Sequence, residues 1–319
     1  MQFTSIPDNY ALLDGGLLYE IDLGGLRDSI DIAIVDTTHN NTLATLRFAQ
    51  TSAVSLDIAP YVRRAFAPAP AAGPTGISYN TRCTAAIVLR TDQGQSPERV
   101  FSLYAIDGLP RLLTAMPDTR TIAAGEFDLI PFYAPQGGKI TINPRGTGMI
   151  AGRIISVAAN KAPGVLRIAA DDFAGAVALS VKFESEGRTD IIAYDVVRRP
   201  SDAVRVAWVS STGAVESYTF PTCKTRTLKA DKARFYGRTG YQTTSIGGEA
   251  SLLLLSDFEP HAAVEALDEI LTSPQVWFVR EGRITEADVV SSETVYRHGG
   301  ALNSLALEIR TCKREEGLR

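Results

Sequence analysis

Ser29-Ile30-Asp31-Ile32-Ala33-Ile34-Val35 decides the fold class. Successive side chains of an extended strand point to opposite faces, so Ile30, Ile32 and Ile34 share one face while Asp31 and Ala33 take the other. The same alternation recurs on both sides of this stretch. Upstream lies Gly16-Leu17-Leu18-Tyr19-Glu20-Ile21; downstream, His39-Asn40-Asn41 occupies a turn before Thr42 to Ala49, and Val54 to Ile58 is closed by Pro60. With Arg82 to Arg90 and Arg99 to Ile106, about six short strands suit a small antiparallel sandwich.

Within this unit, Phe66 to Gly76 carries Pro68, Pro70 and Pro74. Proline fixes φ and lacks a donor, so an extended surface loop is expected: either a long connection or an arm towards a neighbouring subunit. Leu109 to Arg120 reads as a crossing segment. From Gly125 alternation returns in Phe127 to Ile130, Lys139 to Ile142, Met149 to Ala158, Val165 to Ala169, Val177 to Phe183 and Asp190 to Val197. It stops at Arg199-Pro200-Ser201-Asp202.

The last third differs. Val204 to Val209 and Val215 to Phe220 form a hairpin, and Thr225 to Phe235 and Ala250 to Leu255 are further strands. Glu259 to Thr272 is the one convincing helix: Pro260 suits its first position, and Ala263, Val264, Leu267, Ile270 and Leu271 recur on one face. Ser256 and Glu259 match a capping box. After Pro274 come strands Val276 to Val279, Arg283 to Val290 and Leu302 to Thr311. The expected fold is mainly β. Two β-sandwich-like modules of immunoglobulin- or fibronectin-like architecture, over 1–110 and 111–200, precede an α+β domain at 201–319 with one amphipathic helix on a sheet. Trp208 and Trp277 lie in runs apolar on both sides, which implies strands covered on both faces.

The 319 residues are 45% hydrophobic and 21% charged, the composition of a folded chain. A net charge of −4 is too balanced for nucleic-acid binding through a basic surface. The start of the chain lacks the pattern of a secretory signal, and no run is apolar enough for a membrane helix. Three cysteines, Cys83, Cys223 and Cys312, are odd in number and far apart, which fits synthesis in a reducing cytoplasm.

Catalytic patterns are sparse. His39, His261 and His298 sit where surface histidines sit, and no G-x-S-x-G elbow accompanies them. His261 and Glu265 share a helical face as an ion pair rather than a metal site. Asp171-Asp172 reads as a solvated turn, and Gly137-Gly138, Gly146-Thr147-Gly148 and Gly247-Gly248 read as hairpin turns. Arg234, Phe235, Tyr236, Arg238 and Tyr241 form an aromatic-basic stretch, read as a strand edge with a mobile loop. No catalytic, cofactor or metal residue is assigned; Tyr218, Tyr236 and Tyr241 are the candidate surface-contact residues.

Three phrases taken together carry a resemblance: Val54 to Arg64 (VSLDIAPYVRR), Ala203 to Phe220 (AVRVAWVSSTGAVESYTF) and Leu252 to Val279 (LLLLSDFEPHAAVEALDEILTSPQVWFV). The chain resembles tail or baseplate proteins from phage and prophage structural gene clusters of gut Bacteroidetes. The resemblance implies a non-enzymatic assembly protein acting through protein–protein interfaces. It would be a homo-oligomer in contact with other tail proteins, made in the cytoplasm and carried in the virion tail, with no nucleic acid, membrane or cofactor partner. The alternative is a carbohydrate-binding or adhesive β-sandwich protein that stacks a glycan on its tyrosines, and a third reading is a glycoside hydrolase with paired carboxylates across a cleft.

Overall fold

In the computed structural model, which describes residues 1–71, 73–79, 81–280, 283–294, 302–311 and 315–316, alternation becomes strand along most of the chain. His298 and Cys312 lie outside the described residues. The first module contains β1 (Gln2–Ser5), β2 (Leu18–Asp36), β3 (Asn41–Asp57), α1 (Ala59–Val62), β4 (Gly76–Ser78), β5 (Thr84–Thr91), β6 (Gly94–Gln95) and β7 (Arg99–Ser102). Its sheet runs β1-β2-β5-β6, with β3 also on β2 and β7 on β5.

The long β2 changes face midway. Tyr19, Ile21 and Leu23 are buried in its first half, and Ile30, Ile32 and Ile34 in its second. From Asp22 to Arg27 the strand takes five steps against two, Ala53 to Thr51, on β3. The odd excess moves the inward set from odd to even positions. Gly24 (φ +71°) and Gly25 (φ +152°) supply the backbone for it. On β3 the inward set stays even from Ala44 to Leu56, through Leu46, Phe48, Val54 and Leu56. The sheet thus bends around one core, closed from below by Ile58, Ala59 and Val62.

The proline-rich segment does not project. Phe66, Pro68, Pro70 and Thr75 are buried, and Arg167 donates to the carbonyls of Ala71 and Pro74. The segment crosses to the second module, where β4 adds to a strand of that sheet. Of the turn carboxylates, Asp172 fastens this crossing rather than being solvated, while Asp171 is exposed and bonds within the second module. Asp172 accepts from the Thr75 amide at 2.7 Å, and Asp171 accepts from the Gly125 amide.

The second module contains β8 (Arg111–Leu112), β9 (Thr119–Ala123), β10 (Phe127–Ala134), β11 (Gly138–Gly146), β12 (Arg153–Val157), β13 (Asn160–Ala169), β14 (Ala176–Ser185) and β15 (Arg188–Val197). Sheet β4-β13-β10-β8 packs on sheet β12-β11-β14-β15-β9. Ile130, Phe132, Leu166, Ile140, Val181 and Phe183 fill the space between them. Every residue of β10 is buried. Ile130 and Phe132 face the sandwich core, while Phe127, Leu129 and Tyr133 face the third unit.

That unit holds β16 (Val204–Val209), β17 (Val215–Phe220), β18 (Thr222–Gly237), β19 (Gly240–Leu255), β20 (Glu259–Pro260), α2 (His261–Thr272), β21 (Val276–Arg280), β22 (Arg283–Val289), β23 (Leu302–Asn303), β24 (Ala306–Thr311) and β25 (Glu315–Glu316). Its main sheet runs β17-β16-β21-β22-β24-β19-β18. Helix α2 lays Leu267 and Ile270 on the face that carries Val206, Trp208, Leu254 and Leu307. Pro260 stands at the N-cap, one place earlier than expected, and the Ser256 hydroxyl accepts from the Leu305 amide, so no capping box forms. Gly247 and Gly248 lie inside β19 rather than in a turn, paired with β18 and β25.

The opposite sheet face, with Ala207, Val209, Val215, Trp277 and Val279, packs on Phe127, Leu129, Tyr133 and Val165 of the second module and on Cys83 and Tyr104 of the first. All three units therefore share one apolar junction. It is the neighbouring modules of the same chain that cover the second face on which Trp277 lies. The β16–β17 turn presses into this junction: a Cβ at Gly213 (φ +80°) would stand 2.2 Å from the Leu103 carbonyl oxygen. Gly213→Ala is expected to cost about 2 kcal/mol or more, read as a lower urea midpoint at unchanged slope. Gly125→Ala, with similar φ but open space around the position, carries the backbone strain alone and is expected to cost about 1 kcal/mol.

Candidate functional site

Strands β18 and β19 pair from Thr222–Leu255 out to Gly237–Gly240, so a two-stranded ribbon runs far past the sheet that roots it. At ~3.3 Å per residue the part beyond Thr227 extends about 33 Å. Every described side chain from Lys224 to Tyr236, and from Tyr241 to Thr244, is exposed. Among the described residues the outer edges pair with no other strand apart from β25, at Gly247 and Gly248. The stretch Arg234 to Tyr241, expected to be a strand edge with a loop, is strand on both sides of a tight two-residue turn at Arg238-Thr239.

Two of the three tyrosines singled out from sequence meet here. Tyr236 and Tyr241 are cross-strand partners at the tip, 76% and 79% exposed, with ring centroids 5.1 Å apart and edge to face. Alternation along β18 puts Leu228, Lys232, Arg234 and Tyr236 on one face. From Thr222 to Ala250 the ribbon holds six Lys or Arg against two Asp or Glu. It is a basic arm, net +4, on a chain whose remainder is −8.

Tyr218 is not a surface residue. It is buried on β17 on the helix-facing side, edge-on to Phe220. Its hydroxyl donates to Glu259 at 2.8 Å and accepts from the Asp257 amide, anchoring the start of α2. Burial pushes its phenol far above the ordinary range, with the Glu259 carboxylate adding to the shift.

Between the second and third units lies a cluster that the sequence did not single out. Arg205 of β16 reaches Glu126 at 3.1 Å and Asp128 at 3.6 Å in the second module, and donates to the Phe127 carbonyl at 2.6 Å. Arg120 meets Asp128 at 3.1 Å and Glu216 at 3.6 Å. Tyr194 and Ser217 hydroxyls donate to Asp128, Thr219 to Glu126, and Thr114 to Glu216. Arg205, Arg120, Glu126, Asp128 and Glu216 are each under a tenth exposed. The only hint in the sequence is a charge set inside each apolar strand run, at Asp128, Arg205 and Glu216; on a strand covered on both faces such a charge must be partnered.

Burial works to raise both carboxylates, but the net outcomes are opposite. It works to raise Asp128, but Arg120 and Arg205, with the hydrogen bonds from Tyr194 and Ser217, outweigh it and hold the group below its ordinary 3.8. At Glu216 burial wins over Arg120 and the bonds from Thr114 and Ala115, and the group is raised above 4.5. Each charged group of the cluster has an opposite charge within 3.6 Å, although Glu126 Oε1, Glu216 Oε2 and Arg205 Nε lack a hydrogen-bond partner; the pairs from Arg205 fasten the third unit to the second.

Elsewhere, an open trough of about 1030 Å³ runs beside the arm's root, with Val204, Leu252 and Phe278 as floor and Arg226 and Arg283 among its walls. His261 and Glu265 form an exposed ion pair at 3.2 Å. His39 pairs with buried Asp36 at 2.6 Å. Cys83 is buried and Cys223 half-buried, both reduced. Among the described residues no group of three His, Cys, Asp or Glu is placed to hold a metal ion, and no helix is long and apolar enough to cross a membrane.

No protein-family model matches the chain, and the search of curated proteins found no match. Among solved structures it is similar to extracellular domains 3–5 of Drosophila OTK, at 9% identity and a TM-score of 0.25, over 79% of this chain and 91% of that one. A likeness of that size carries no argument about function.

Asp128→Asn is expected to lower stability by about 3 kcal/mol at pH 7, because it removes the carboxylate that both buried guanidiniums share and leaves each with a single carboxylate partner. Asp128, depressed in the fold, contributes stability that is present above pH 3.8 and lost as pH falls through its native value. Glu216, raised in the fold, opposes folding at neutral pH, and that penalty is relieved as pH falls through its native value towards 4.5. Glu216→Gln should therefore remove the relief, leaving a flatter stability profile on the acid side of neutrality in urea melts across pH.

Proposed function

We propose that this chain is a non-enzymatic structural component of a phage-like tail or baseplate, working through protein–protein interfaces. The observation that carries the reading is the arm, an aromatic-tipped basic ribbon left uncovered by its own chain and rooted in a three-unit β body. Exposed tyrosine and arginine are the residue types that concentrate binding energy at interfaces. A two-stranded ribbon is marginal on its own in water, so its outer half gains stability by lying against a partner. The buried junction supports the same reading, since a stiff body transmits load from module to module. The sequence resemblance to tail and baseplate proteins points the same way.

A second reading, glycan binding, rests on the same exposed Tyr236–Tyr241 pair. The edge-to-face geometry turns one ring against the other and leaves less free face for stacking a sugar. A glycan array probed with the full chain tests it: binding abolished by Tyr236→Ser would favour this reading over assembly.

Light scattering of the full chain over a rising concentration series tests the assembly reading. Association is expected in the wild type, and Tyr236→Ser with Tyr241→Ser is expected to weaken it about tenfold or more at unchanged melting temperature. A chain that stays monomeric at every concentration and ignores tail components overturns it.

A further inference from the structure

The arm's charge says what it can lie against. Six basic side chains on one ribbon make arm-to-arm pairing between two copies repulsive, since like charges would face each other along the strands. The opposite charge is found in the same unit. From Asp257 to Thr272, the start and length of α2 carry Asp257, Glu259, Glu265, Asp268 and Glu269 and no Lys or Arg. Asp257 and Glu265 are exposed. Beside them stand two exposed apolar side chains, Phe258 at 70% and Leu302 at 52%, at the short β20–β23 pairing that precedes the helix. The patch is thus acidic with an aromatic centre, and the tip is basic with an aromatic centre.

Resting on the assembly reading above, we infer that the arm of one copy docks its Arg234–Arg238 tip on the α2 face of a second copy, around Phe258. The arm does not fold back on its own body, as the exposure of its side chains records. Because the two patches differ, the contact is heterologous: each copy gives an arm and receives one. Such a contact does not close as a two-fold dimer; repeated, it makes a ring or a filament. The pairing of opposite charges sets register and makes association sensitive to salt.

Charge reversal on the full chain, followed by sedimentation and native mass spectrometry, tests this. Arg234→Glu with Arg238→Glu should weaken association at least tenfold, and so should Asp257→Lys with Glu265→Lys. Combining all four in one chain should restore association towards wild type. Melting curves of each variant verify the fold, and the restoration separates lost contact from lost structure. Loss on arm reversal with no loss on helix reversal overturns the docking place and leaves the assembly reading standing. A symmetric dimer as the sole oligomer, or a four-fold variant no better than either pair, also overturns the inference. No association in any form, wild type included, removes the assembly reading with it.

Discussion

Arg205 sits where three demands meet. It lies on β16, whose other face is packed under α2, and its own face is pressed against β10 of the second module. A guanidinium cannot be left bare there, and it is tolerated because Glu126, Asp128, the Phe127 carbonyl and two hydroxyls receive it. Those partners come from both units, so the ion cluster fixes how the C-terminal sheet is seated on the sandwich. Leu129, Val209 and Trp277 belong to the apolar cluster of the same junction. The charges add direction, because each ion pair and hydrogen bond holds at one register only.

That fixed seat is what gives the arm its significance. The ribbon emerges from the sheet that Arg205 helps to hold, and the sheet is gripped on one face by a helix and on the other by two modules. The proline-rich crossing adds a second fastening, since its departure from the first module ends as a strand of the second. Prolines suit that role because a crossing chain needs little hydrogen bonding and gains from restricted φ. The body is thereby fastened at the β16, β17 and β21 end of the sheet, and the arm leaves the other end with its side chains exposed.

Much of the architecture was legible in the alternation. Isoleucines at 30, 32 and 34, the apolar run at 204–209 and the helical spacing from Ala263 to Leu271 each led to the element found. The exposure of Tyr236 and Tyr241 was legible too, because they sit among polar and basic residues. Tyr218 misled, since its neighbours Ser217 and Thr219 are polar; they face the ion cluster while Tyr218 faces the helix. Arg120, Asp128 and Glu216, on three different strands, and Glu126, in the turn before β10, were passed over because only the packing of the sheets brings them together.

By itself, then, the amino-acid order determined which segments are strands, where the single long helix falls and which faces are apolar. These are local properties, set by side-chain periodicity and by what proline and glycine allow. Tertiary structure decided the rest: which module covers the second apolar face, which buried charges meet, and which hairpin is left standing clear of the body. Those outcomes depend on contacts between residues far apart in the chain, such as Glu126 with Thr219, 93 positions away, and no local pattern records them.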